Sequence, residues 1–151
     1  MKETDALFSL RVPARASSLA VVRHWVQFVW GEVSPEGDDA DLHSLVLSAH
    51  EAFRNVIEHS RPGESAQVTA EATMEGGALV VRLIHDGLPF DGVAPAPEFD
   101  GTRDGGLGVF LMTQGLSRLA YSTTSEGAQQ VELTKETRRP SWPDQKKGIK
   151  Q

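Results

Sequence analysis

The chain contains no cysteine. That absence excludes a disulfide scaffold, a cysteine nucleophile, an iron–sulfur site and a thiolate zinc site, and it agrees with a reducing compartment. Long apolar runs are absent too. Nothing approaches the roughly 18 consecutive apolar residues needed to cross a bilayer, and the charged opening from Met1 to Asp5 lacks the apolar stretch of a signal peptide. The expectation is a cytoplasmic protein with no membrane segment. Basic charge is scarce and unevenly placed: 15 Lys and Arg stand against 21 Asp and Glu, for a net charge of −6. From Lys135 onward the chain carries +4, and the rest carries −10. An acidic body repels a phosphate backbone, so nucleic acid is not expected as the main ligand.

Several familiar motifs are also missing. No Gly-x-x-x-x-Gly-Lys-Ser/Thr loop occurs, and the pair Gly106 and Gly108 lacks a third small residue because Leu111 stands there. The triplets His-Arg-Asp and Asp-Phe-Gly are absent. His50-Glu51 begins like a zinc-protease helix, but Arg54 occupies the second histidine position.

The 151 residues suffice for one domain with a core of its own. Ala6 to Val12 alternates like a strand that Pro13 stops. Ser17 and Ser18 are N-cap candidates for a helix carrying Leu19, Val22, Val26 and Val29 at helical spacing and ending near Gly31. Trp25 and Trp30 on it are read as core. Caps at residues 38–41 open a second helix with a broad apolar stripe from Leu42 to Ile57, stopped by Arg61-Pro62-Gly63. Two strands follow, Ala66–Thr73 and Ala78–Ile84, joined by a turn at Glu75-Gly76-Gly77. The stretch from Asp86 to Gly106 has no regular pattern and is long enough to suggest function. A short helix, Leu107–Gly115, and two closing strands, Ser117–Thr124 and Gln129–Lys135, complete a domain over residues 1–136. Residues 137–151 read as a disordered basic tail.

Three clusters could carry chemistry. Glu51, Asn55 and His59 are spaced i, i+4, i+8 and fall on one band beside the apolar stripe. A carboxamide oxygen is a neutral, hard ligand suited to Mg²⁺, and a carboxylate one turn away can accept a proton. A solvated helix edge is the bland alternative. Asp86-Gly87 follows an apolar strand, where acidic groups can read a polar ligand edge or simply make a turn. Gly105-Gly106-Leu107-Gly108 opens a helix, where bare amides suit phosphate or merely provide a hinge.

The order of these features resembles the GHKL (Bergerat-type) ATPase family, and within it the small anti-sigma-factor serine/threonine kinases. Ser48 to His59 resembles the N-box, Gly87-Leu88-Pro89-Phe90-Asp91 the first glycine box, and Gly105 to Met112 the second. The resemblance implies an α/β two-layer sandwich whose mixed, mostly antiparallel sheet is covered on one face by about three helices. It implies ATP and Mg²⁺ as cofactors, with Asn55 on the metal and Glu51 as the catalytic base. His59, His85, Asp86, Gly87, Phe90, Arg103, Gly105, Gly106, Leu107 and Gly108 would contact the nucleotide. The implied function is an anti-sigma factor that phosphorylates a STAS-type anti-sigma antagonist, binds a sigma factor and can form a homodimer. A regulatory module of the same fold, acting by docking with little nucleotide turnover, is the alternative. One departure stands out. The family's adenine-reading Asp precedes the glycine by two positions, and here His85 occupies that place, with Asp86 between. A neutral histidine offers a single acceptor and no carboxylate.

Overall fold

The computed structural model describes residues 6–37, 39–60, 63–88 and 116–137. Strand β1 (Phe8–Pro13) leads through a 3₁₀ turn at Ala16–Ser18 into helix α1 (Leu19–Val33) and helix α2 (Asp39–His59). Strands β2 (Gln67–Glu75), β3 (Ala78–His85), β4 (Arg118–Thr123) and β5 (Gln129–Glu136) follow. They form one five-stranded sheet in the order β1-β2-β3-β5-β4. With the helices packed on it, this is the anticipated α/β sandwich. The described residues supply two α-helices; the third expected helix, Leu107–Gly115, lies outside them.

Every strand pairing among the described residues is antiparallel, where a mixed sheet was expected. Chain direction explains the difference. One helix between neighbouring strands returns the chain parallel, but two helices separate β1 from β2 and reverse it once more. β3 and β4 do run the same way, yet β5 lies between them.

Local chemistry accounts for the elements. Between β2 and β3, Gly76 and Gly77 take φ values of 59° and 82°. Both central residues of a two-residue type I′ turn need positive φ, which glycine adopts without steric cost. Asp39 and Asp41 lie in the first turn of α2 and His59 in its last, as the helix dipole favours. Pro13 is the last residue of β1, an edge strand where its missing N–H is tolerated.

Two sequence expectations need correction. The Ser18 hydroxyl does not cap α1; it donates to the Pro13 carbonyl at 2.7 Å and so ties the helix start to the end of β1. Gly31 does not stop α1, which runs on to Val33. Gly31 faces open space, and Val33 beyond it packs against the core. That packing offsets the roughly 1 kcal/mol cost of a helical glycine.

The core lies between helices and sheet. Val22, Val26, Val29 and Trp30 of α1 and Leu45, Ala49, Ala52 and Phe53 of α2 meet Val68, Leu79, Val81, Leu83, Val131 and Leu133 of the strands. Trp30 is buried as expected, and Trp25 is half-buried at the margin. On the other face Arg82 joins Glu132 at 2.7 Å and Glu75 at 2.9 Å. Lys135 Nζ reaches Asp41 at 3.2 Å, tying β5 to the start of α2. Among the described residues no helix is long and apolar enough to cross a membrane.

Phe53 is fully buried between the layers. Truncation to alanine is expected to cost about 3–5 kcal/mol, much of the stability of a domain this size. Denaturant unfolding of Phe53→Ala measures it, and a loss under about 1 kcal/mol would contradict this placement of the core.

Candidate functional site

The last turns of α2 lie above the ends of β3, β4 and β5, and a cavity of about 160 Å³ opens between them. Its apolar walls include Ala52, Val56 and Val131, and its polar groups include Asn55, His85 and Tyr121. Among the described residues its lining carries no Lys, Arg, Asp or Glu.

Asn55 is, with Ser48, a polar residue on the buried face of α2. The residue is 5% exposed, and its Nδ2 has no well-formed hydrogen bond. The carboxamide does act on Tyr121: burial pushes that phenol up to about 12, and hydrogen bonding from Asn55 opposes the shift. Tyr121 therefore keeps its proton at neutral pH.

His85 ends β3 and is 7% exposed. The Gly87 amide donates to its Nδ1 at 3.1 Å. Nδ1 can accept only as the unprotonated nitrogen, so the neutral ring carries its proton on Nε2. The single acceptor that sequence reasoning assigned to this histidine is already used inside the turn. Burial pushes the imidazole below its ordinary value, and the Asp86 charge opposes that shift. Asp86 itself is exposed and absent from the described cavity lining.

Gly87 belongs to the floor beneath the site. A Cβ there would lie 2.6 Å from the Ser60 carbonyl oxygen and 2.8 Å from its Cβ. The next amide, from Leu88, donates to the same carbonyl at 2.8 Å. The end of α2 and the turn after β3 are thus clamped backbone to backbone.

The helical trio does not share one environment. Asn55 is buried in the cavity wall, whereas the Glu51 side chain is 13% exposed and pairs with Arg54 at 3.3 Å. His59 is exposed beside Glu58, at 3.9 Å. The band is real in angle, but the helix runs over the sheet and then past it, so burial changes along its length. Phe90, Arg103, Gly105, Gly106, Leu107 and Gly108 lie outside the described residues. Among the described residues no cluster of three or more His, Cys, Asp or Glu could hold a metal ion. Sequence reasoning missed Tyr121 and Ser60; neither carries a local signal, because both reach the site only through strand register and the α2–β3 clamp.

A family of known domains matches residues 12–135: the histidine kinase-like ATPase domain. The chain belongs to that family. No curated protein matches it. Among solved structures it is similar to the RsbU and RsbW domains of Rv1364c from Mycobacterium tuberculosis. The TM-score is 0.61 at 17% identity, over 89% of this chain and 34% of that one. A histidine kinase domain from the Erythrobacter litoralis EL346 blue-light activated histidine kinase gives a TM-score of 0.49 at 17% identity, over 89% of this chain and 64% of that one. The first of these establishes the shared fold.

Two outcomes follow from this geometry. Gly87→Ala must displace the Ser60 backbone, with an expected cost of about 1–3 kcal/mol by thermal unfolding; parental stability would show that the clamp yields freely. The folded His85 titrates below its unfolded value of 6.5. A depressed histidine favours folding fully above that unfolded value, and the contribution is lost as pH falls from 6.5 through the folded value. NMR titration is expected to place the His85 midpoint below 6.5, and a midpoint above it would contradict the burial.

Proposed function

We propose that the protein is a nucleoside-triphosphate-dependent serine/threonine protein kinase of the anti-sigma-factor type. It binds a sigma factor and phosphorylates a Ser or Thr of a small STAS-type antagonist, with ATP the nucleotide its family description names. Membership of the ATPase family and the three boxes in order support this reading.

The observation that carries it is the Asn55 carboxamide. It is buried in the wall of a cavity whose described lining carries no charged side chain. The same residue fits a magnesium site. Its Oδ1 is a neutral, hard oxygen, and Mg²⁺ takes few protein ligands, filling its shell with water and phosphate oxygens. When bound, the ion would neutralise charge on the transferred phosphoryl group.

Glu51 lies one turn before Asn55 on α2. Arg54 forks between Glu51 at 3.3 Å and Glu58 at 3.2 Å, which fixes the position of the carboxylate on the helix. Its role is to accept the proton as the acceptor hydroxyl attacks the terminal phosphorus and the nucleoside diphosphate leaves. A docking module with little turnover is the second reading, favoured by His85 where a carboxylate was anticipated.

Transfer of labelled phosphate from a nucleoside triphosphate to the antagonist tests the first reading. Glu51→Gln is expected to lower kcat about 10²- to 10⁴-fold while nucleotide binding persists. An undiminished rate would dismiss Glu51 as the base, and calorimetry without heat from any nucleotide would favour docking alone.

A further inference from the structure

A carboxamide has an oxygen end and a nitrogen end, and only the oxygen can hold a metal ion. Asn55 therefore suits Mg²⁺ in one amide orientation and not in the other. The helix does not choose between them, because the last side-chain torsion of asparagine is broad and nearly two-fold. The choice falls to whatever meets the amide from outside α2.

Asn55 Nδ2 is a buried donor, and a buried donor needs an acceptor. Other acceptors in the cavity lining are engaged elsewhere. His85 Nδ1 receives the Gly87 amide at 3.1 Å, and the other ring nitrogen is itself a donor. Ser122 Oγ receives Gln130 at 3.4 Å, and Gln129 Oε1 receives the Thr123 hydroxyl at 3.2 Å. The Tyr121 oxygen is the acceptor that the Asn55 nitrogen meets. Its direction follows from its effect: the bond opposes the upward shift of the phenol, as donation to the phenol oxygen does. Tyr121 is also firmly seated. It stands on β4 opposite Val131, and its ring packs against the core while the residue lines the cavity below α2.

We propose that Tyr121 is a positioning residue that accepts a hydrogen bond from Asn55 Nδ2 and so leaves Asn55 Oδ1 as the end of the amide offered to Mg²⁺. The proposal rests on the reading of Asn55 as the magnesium ligand and deepens it by naming what orients that ligand. Tyr121 acts through the amide and not on the metal itself. Hydrogen-bond partners that orient a metal's ligands typically set its affinity by a factor of about 10 to 100.

The probe is ATP, titrated by calorimetry into the full chain with Mg²⁺ and again with EDTA. Tyr121→Phe keeps the ring in the core and removes one oxygen. It is expected to weaken ATP about 10- to 100-fold in Mg²⁺ and to leave binding in EDTA within about twofold. A purely structural role, or contact of the phenol with the nucleotide base, weakens both alike. Equal losses, or no loss, overturn the proposal and leave the nucleotide reading standing. No heat from ATP with the unaltered protein under either condition overturns that reading, and the proposal with it. Where binding in EDTA is too weak to compare, the ligand-free ¹H–¹⁵N spectrum decides. The Asn55 Nδ2 protons are expected to exchange with water more slowly in the unaltered protein than in Tyr121→Phe, and equal rates overturn the proposal.

Discussion

The site depends on a backbone contact that involves no reactive group. The Ser60 carbonyl, just beyond α2, receives the Leu88 amide at 2.8 Å, while Gly87 leaves room for the approach. Without this clamp, α2 and β3 are joined chiefly by side-chain packing, which tolerates sliding. With it, the last turn of the helix is fixed over the ends of β3 and β5. Asn55 on the helix and His85 on the strand then face one cavity, although 29 positions separate them in the chain. The same turn directs the Gly87 amide onto His85 Nδ1. One short segment thus sets both the helix position and the polarity of the histidine.

Sheet topology completes the arrangement. Because β5 lies between β3 and β4, His85 pairs with Gln129 across the ladder, and Tyr121 pairs with Val131 one strand further out. The far ends of three strands therefore close under a single helix end. At the opposite end of α2, the Lys135–Asp41 ion pair holds β5 to the helix start. The helix is held at both ends while the core fills its middle, so the described walls of the cavity are tied by backbone and ion-pair contacts as well as by packing.

Most of the scaffold was legible in the sequence because it is written in periods. The apolar stripe of α2 and the alternation of β1 each reflect one face turned to the core, and Gly76-Gly77 encodes its own turn through φ. What could not be read arises from tertiary competition. Ser18 resembles a cap, but the Pro13 carbonyl captures its hydroxyl because β1 ends beside it. Gly31 resembles a stop, but packing beyond it carries the helix on. The band of Glu51, Asn55 and His59 was correct in angle and silent on depth, since depth is set by where α2 crosses the sheet. The direction of the histidine's hydrogen bond was the least legible feature. It depends on where the amide two residues later points, and the Ser60 clamp decides that.

Histidine and a carboxylate at a strand end differ in hydrogen-bond sign. A carboxylate accepts on both oxygens; this imidazole, once Nδ1 is engaged, can only donate. The core beneath is apolar, and the clamp to Ser60 is made by backbone atoms that any residue at position 85 leaves in place. The histidine even consolidates the turn by accepting the Gly87 amide. Packing and backbone hold the cavity open, while its polar lining comes from side chains of α2, β3, β4 and β5. The architecture of the histidine kinase-like ATPase domain, which the chain matches from residue 12 to residue 135, rests on the packing and backbone and not on the side chain at position 85.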